Sequence, residues 1–257
     1  MSTLVCFDIG NTNIVIGCFE NQKLLGEVRI SSSRERTVDE YSALTLSLLA
    51  HRLKGGEKKI DSAIISSVVP PLTPVFVRVV EELFSVVPRI VGTGIKTGIA
   101  LKVQEPVSVG ADRIVNAVAA RELFGTPALV VDFGTATSFD FVNAKGEYEG
   151  GAIAPGPQLA LDSLARNTAK LPRIEMAWPT AMVGKNTVTA MQIGSVVGYL
   201  CMVDGLIERI EQEVGAMKHI IATGGLGRLF SEHSKKLTTY HPTLTLEGLR
   251  IIANNNS

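Results

Sequence analysis

One stretch limits this chain more than any other: Val130-Val131-Asp132-Phe133-Gly134-Thr135-Ala136-Thr137. An apolar run ends in an acid, then a glycine, then hydroxyls. Such a run reads as a buried strand that ends in a tight turn with little side chain in the way. The same grammar opens the sequence as Val5-Cys6-Phe7-Asp8-Ile9-Gly10-Asn11-Thr12-Asn13. A chain with two such strand ends is under pressure to fold the same way twice.

The patterning around each copy agrees. In the first round, Leu4–Phe7, Ile14–Phe19 and Leu24–Ile30 read as strands joined by short turns. Thr37-Val38-Asp39-Glu40 has the spacing of a capping box, and Tyr41, Leu44, Leu48 and Leu49 follow at helical spacing until Gly55-Gly56. Ile60–Ser66 reads as a strand, Pro74 opens a helix, and Arg89–Val91 is a short strand. A long connection, Gly92 to Val109, leads to Gly110-Ala111-Asp112-Arg113 and a helix over Ile114–Phe124.

The second round gives strands at Ala128–Val131, Ser138–Val142 and Tyr148–Ile153. Pro155-Gly156-Pro157 starts a helix over Gln158–Arg166, and Asn167–Pro179 is a loop. Thr187 is the expected N-cap of a helical stretch running to about Val214. Gly194, Gly198 and Gly205 within it cost helix propensity and so point to close packing against another element. Lys218–Ala222 is a strand, Thr223-Gly224-Gly225 a turn and Leu226 a helix start; a strand at Leu237–Tyr240 and a helix from Leu246 end the chain. The fold class is therefore α/β, a duplicated βββαβαβα arrangement, with halves at 1–115 and 116–257 facing each other across a cleft.

Composition narrows the function. The 257 residues are 46% apolar and 19% charged with zero formal net charge, as expected of a soluble globular chain. That balance gives no electrostatic reason to expect nucleic acid or an acidic membrane as partner. Cys6, Cys18 and Cys201 are scattered, which suits a reducing, cytoplasmic setting. The most apolar long window, Ala63 to Val80, is broken by Pro70, Pro71 and Pro74 and carries Arg78, so it is not a membrane span. There is no G-x-x-x-x-G-K-[ST] and no G-x-S-x-G, which argues against a P-loop enzyme and a common serine hydrolase.

The two turns carry the chemistry. Gly10 and Gly134 allow close approach to the backbone, whose N–H groups, with the hydroxyls of Thr12, Thr135 and Thr137, are donors for phosphate oxygens. Asp8 and Asp132 would repel phosphate without a cation, so acid and phosphate loop together call for a metal. Each Asp also reads as an Asx-turn acid holding its own loop; the duplication favours phosphate. Two readings stand for Asp112: a helix-capping acid, or a group that accepts the proton of a substrate hydroxyl while Arg113 holds a substrate anion. Thr223-Gly224-Gly225 reads equally as a tight turn or as backbone lying against a nucleotide. The isolated His51, His219, His233 and His241 read as structural or surface residues, and Trp178 as a packing residue.

These motifs, Asp8 to Asn13, Gly110 to Arg113, Asp132 to Thr137 and Thr223 to Gly225, resemble in order and spacing those of type III pantothenate kinases, over essentially the full chain. That family belongs to the superfamily of acetate and sugar kinases, chaperone ATPases and actin, which implies an actin-like, ribonuclease H-like fold. The resemblance implies transfer of a phosphoryl group from Mg²⁺-bound ATP to pantothenate. It implies ATP contacts at Asp8, Ile9, Gly10, Asn11, Thr12, Asn13, Ile14, Val15 and Thr135, and a monovalent cation, K⁺ or NH4⁺, at Asp132. It further implies Asp112 as general base, pantothenate contacts at Gly110, Ala111, Asp112, Arg113 and Thr187, and a homodimer formed around the long helix, with Gly194 and Gly198 at its close contacts. Val103 stands where many members carry a substrate-touching tyrosine, so ring and hydroxyl are absent there. Two rival readings are another small-molecule kinase of the superfamily and a non-catalytic regulator on the same fold.

Overall fold

The computed structural model of the protein describes residues 2–53, 59–92 and 94–256. The chain forms two compact units: Met1–Ala119 with Leu244–Ser257, and Ala120–Thr243.

Unit 1 is built on strands β1 (Thr3–Ile9), β2 (Asn13–Glu20), β3 (Lys23–Ser31), β4 (Ser62–Ser67) and β5 (Arg89–Ile90), in the sheet order β3-β2-β1-β4-β5. The meander β1-β2-β3 is antiparallel, whereas β4 and β5 add in parallel. Parallel addition needs crossovers, supplied by helices α1 (Val38–Arg52) and α2 (Thr73–Phe84). Val5, Phe7 and Ile9 of β1 and Ile14 and Ile16 of β2 project into a core closed by Tyr41 of α1 and Phe76 of α2, whose rings lie 4.7 Å apart. Helix α1 starts with the expected capping box: Glu40 N donates to Thr37 Oγ1, and Thr37 N donates to Glu40 Oε2. The expected stop at Gly55-Gly56 lies outside the described residues.

Helix α3 (Ala111–Phe124) follows a 3₁₀ turn at Pro106–Ser108 and carries the unit boundary within it. The C-terminal helix α8 (Leu244–Asn254) corrects the sequence reading, which grouped it with the second half. It belongs to unit 1 because its apolar stripe, including Leu246, Leu249 and Ile252, is buried on β1, β2 and β4. Arg250, only 8% exposed, is held by Glu247 at 2.8 Å and lies over the Phe19 ring.

Unit 2 repeats the plan with strands β6 (Ala128–Phe133), β7 (Ala136–Val142), β8 (Tyr148–Pro155), β9 (His219–Thr223) and β10 (Thr239–Tyr240). Their order, β10-β9-β6-β7-β8, is the unit 1 order read from the other edge. The central strand β6 is apolar and buried at every residue but Asp132, because it is covered on both faces. Helix α4 (Pro157–Asn167) follows β8. The next helical stretch comprises α5 (Thr187–Gln192), a π segment at Ile193–Val197 and α6 (Gly198–Val214). Helix α7 (Gly227–Ser231) joins β9 to β10.

Two expectations about the long stretch are corrected. Asn186, not Thr187, is the N-cap: its side chain accepts from Thr189 N at 2.9 Å, and Thr187 is the first helical residue. Gly194 and Gly205 face open space, with no atom within 4 Å of where a side chain would begin, so within this chain they are not at close contacts. Thr187–Val214 also has the length and hydropathy, 1.5 over its most apolar window, of a membrane span, which the sequence reading sought in Ala63–Val80. Here Tyr199, Leu200, Val203 and Ile207 pack instead into the unit 2 core with Leu129 and Phe139.

Candidate active site

In unit 1 the strand pairing brings Asp8 opposite Val15 on β2 and beside Ser66 on β4, at the end of the central strand. The turn beyond it closes through Gly10 N to Asn13 O at 3.0 Å. Ser32, just after β3, pins this turn from outside: Ser32 Oγ donates to Gly10 O, and Ser32 N donates to Thr12 O at 2.9 Å. Asn11, Thr12 and Asn13 are exposed at the turn's tip, whereas Ile9 and Ile14 are fully buried. Of the eight residues of this segment expected at ATP, these two isoleucines therefore have only main chain to offer.

The Gly110–Arg113 motif lies against the same strand ends. Val68 N donates to Ile9 O at 3.0 Å, and Val68 Cγ1 stands 3.5 Å from where a Gly110 side chain would begin. A β-carbon at Gly110 would also come within 2.5 Å of Asp112 Oδ1, because the Asp112 carboxylate folds back over it. Arg113 N donates to that same oxygen at 2.8 Å. Burial pushes the Asp112 carboxyl above the ordinary carboxylate range, against the opposing pull of the Arg113 amide and guanidinium. The bond to the Arg113 amide is a cap-like contact, so this geometry is compatible with both readings of Asp112. A half-buried acid whose proton affinity is raised is suited to taking a proton from a hydroxyl. Val103 lies partly buried in the connection before this motif.

In unit 2 Asp132 stands opposite Ser138 on β7 and beside Thr223 on β9. Its turn is one residue tighter than the first, since Phe133 pairs with Thr137 where Ile9 pairs with Ile14 across four residues. Gly134 N donates to Ala136 O at 3.1 Å, and Gly134 and Thr135 are exposed. Two anchors were not picked out from the sequence. Gly156 N, at the start of α4, donates to Thr135 O at 3.1 Å, which brings the positive end of that helix to the turn. Tyr199 of α6 hydrogen-bonds buried Thr137 Oγ1 at 2.8 Å and donates to Pro155 O at 2.7 Å. Pro155-Gly156-Pro157 was the signal for the first; nothing in the sequence signalled the second.

The Thr223-Gly224-Gly225 turn closes on the same place. Gly224 has φ +86°, and a β-carbon there would lie 2.6 Å from Asp132 Oδ1 and 2.7 Å from Phe133 O. Only glycine leaves these oxygens uncrowded. The Asp132 carboxylate and the Phe133 carbonyl, oxygen donors of the hard kind that a cation such as K⁺ takes, thus both pack against the Gly224 backbone. No cluster of three or more His, Cys, Asp or Glu able to hold a metal occurs among the described residues. Thr187 is exposed and lines a groove of ≈ 930 Å³ in unit 2 with Leu164, Leu171, Met191, Gly194 and Met202. The structure thus gathers Asp8–Val15 with Gly110–Arg113 in unit 1 and Asp132 with Thr135 in unit 2, where Thr187 lines a groove that also takes in Tyr199.

Two sheets of one order, each with an acid–glycine–hydroxyl turn ending its central strand, define the actin-like fold of sugar kinases and related ATPases. A polyphosphate/ATP-glucomannokinase from Arthrobacter sp. shares this fold with a TM-score of 0.52 at 14% identity, covering 99% of this chain and 100% of that one. A sequence model of the type III pantothenate kinases matches residues 4–209. A type III pantothenate kinase from Moorella thermoacetica is 46% identical, covering 99% of this chain and 100% of the relative. Another, from Myxococcus xanthus, is 47% identical over 98% of both. The chain belongs to the type III pantothenate kinase family.

Proposed function

We propose that the protein transfers the γ-phosphoryl group of ATP to the primary hydroxyl of pantothenate, giving 4′-phosphopantothenate, the first step of coenzyme A synthesis. The observation that carries this reading is Asp112, an acid in the first turn of α3 whose burial raises its proton affinity, inside a full-length match to the family. Phosphoryl transfer asks a protein chiefly for positioning and neutralisation of charge. The turn from Asp8 to Val15 would seat ATP phosphates through main-chain N–H groups at its tip and the Thr12 hydroxyl, and Thr135 would do the same from unit 2. Mg²⁺ would arrive with the nucleotide and neutralise its phosphates. Asp132, with the Phe133 carbonyl, would hold K⁺ or NH4⁺ and so make the second turn tolerable to phosphate.

Gly110 to Arg113 would contact pantothenate, with Arg113 facing its carboxylate. Asp112 would orient the hydroxyl and take its proton late, as oxygen bonds to phosphorus. Val103 would leave more room and one hydroxyl fewer than a tyrosine gives. Thr187, on its open groove, would reach substrate only as part of a homodimer in which a second copy covers that groove. None of the three cysteines is in a disulfide, in keeping with a cytoplasmic setting.

A coupled assay of ADP release tests the reading with pantothenate and a panel of other hydroxylated acids, each with and without K⁺. Pantothenate is expected to be turned over fastest, and only with K⁺ present. A different acceptor ranking above pantothenate would replace the substrate assignment.

A further inference from the structure

The face of the unit 2 sheet that carries Asp132 holds a buried polar chain that the reaction described above does not use. Strand pairing sets Asp132 opposite Ser138, and Val130 opposite Asp140, so Asp132, Ser138 and Asp140 share one face. Directly opposed side chains have β-carbons about 4.5–5.5 Å apart, so Ser138 is an immediate neighbour of Asp132. Asp140 is fully buried. Ser138 Oγ donates to Asp140 Oδ2 at 2.6 Å, and Tyr148 Oη, from β8, donates to Asp140 Oδ1 at 2.9 Å.

A serine hydroxyl has one proton and two lone pairs. Its proton here is committed to Asp140, away from Asp132. What Ser138 presents toward Asp132 is therefore an acceptor. Had Ser138 donated to Asp132 instead, it would have satisfied part of that carboxylate's charge and weakened its hold on a cation. We propose that Asp140 is a positioning residue for the Asp132 site: by taking the Ser138 proton it fixes that oxygen as an acceptor beside Asp132 and tunes the site for a monovalent cation. Tyr148 anchors Asp140 from its far oxygen. The role runs through Ser138, and Asp140 itself touches no reactant. The inference rests on the reading of Asp132 as the cation ligand.

The test titrates K⁺ at constant ionic strength, with tetramethylammonium as the balancing ion. It reads both the K⁺ concentration for half-maximal activity and the rise in Tm that K⁺ produces without substrates. Outer partners of metal ligands typically contribute 10- to 100-fold in metal affinity. Asp140→Ala and Ser138→Ala are each expected to raise the half-activating K⁺ concentration by about that factor and to shrink the K⁺-dependent Tm rise. The double variant should be no worse than Ser138→Ala alone, because both act through one oxygen. Tyr148→Phe should lower Tm yet leave the half-activating concentration in place.

A wild-type K⁺ response in both single variants overturns the proposal, as do additive effects or an equal shift in Tyr148→Phe, which would mark general damage. If Asp140→Ala does not fold, Ser138→Ala alone decides: an unchanged half-activating concentration overturns the proposal. Wild-type protein without any K⁺ response in either readout would instead remove Asp132 as cation ligand, and this inference with it.

Discussion

At the scale of single residues, the proposed roles of Asp112 and Gly224 each make a measurable claim. Asp112→Asn keeps the shape that folds over Gly110 and removes the charge. Turnover should fall by about 10²–10⁴-fold with ATP binding retained, and near-normal turnover would remove Asp112 as base. The same change should raise thermal stability at neutral pH. A carboxyl whose pKa is raised on folding binds its proton more tightly in the folded protein, so ionising it costs stability at pH values above that pKa. The wild-type penalty disappears as pH falls below the unfolded carboxylate pKa, about 3.9. The Tm gap between variant and wild type should therefore be widest near neutrality and close on acidification. A constant gap would contradict a raised pKa. Gly224→Ala should lower both Tm and ATP turnover, since its β-carbon falls between Asp132 Oδ1 and Phe133 O at a φ of +86°. The acid in the Gly110–Arg113 motif was legible in the sequence. Its proton affinity was not, because burial is set by tertiary packing that the local sequence does not display.

Elements tell a similar story. The three-strand meanders and the crossover helices were legible, because strand alternation, the Thr37–Glu40 box and Pro74 are local signals. The stretch from Thr187 to Val214 was legible as helical but not in detail. Asn186 and Thr187 are both good caps, and only the bond to Thr189 N separates them. Nothing in Ile193–Val197 announces a π segment. The Tyr199 hydroxyl ties α6 to the turn that ends β6. Tyr199→Phe would leave buried Thr137 Oγ1 and the Pro155 carbonyl without that partner. A loss of about 1–3 kcal/mol is expected in chemical denaturation, and a loss under a few tenths would show that water replaces the hydroxyl.

For the molecule as a whole, the duplication was legible and the ownership of its last helix was not. Element order repeats along the chain, but which sheet a terminal helix covers is set by contacts distant in sequence. The same limit applies to Gly194: its lack of a side chain suggested packing, yet the space beside it is open within the chain. If a second copy fills the groove, Gly194→Leu should leave the monomer folded, with unchanged far-ultraviolet circular dichroism, and halve the mass seen in sedimentation. A wild-type mass for that variant would place the interface elsewhere. The return of α8 to unit 1 also hands the cover of the first sheet to a segment distant in the chain. Residues 120–243 make up the other unit, while β1, β2 and β4 are covered by Leu244–Asn254. A truncation before Leu244 should therefore bare those strands and leave unit 2 packed, seen as proteolytic cleavage within residues 2–119 well ahead of cleavage within 120–243.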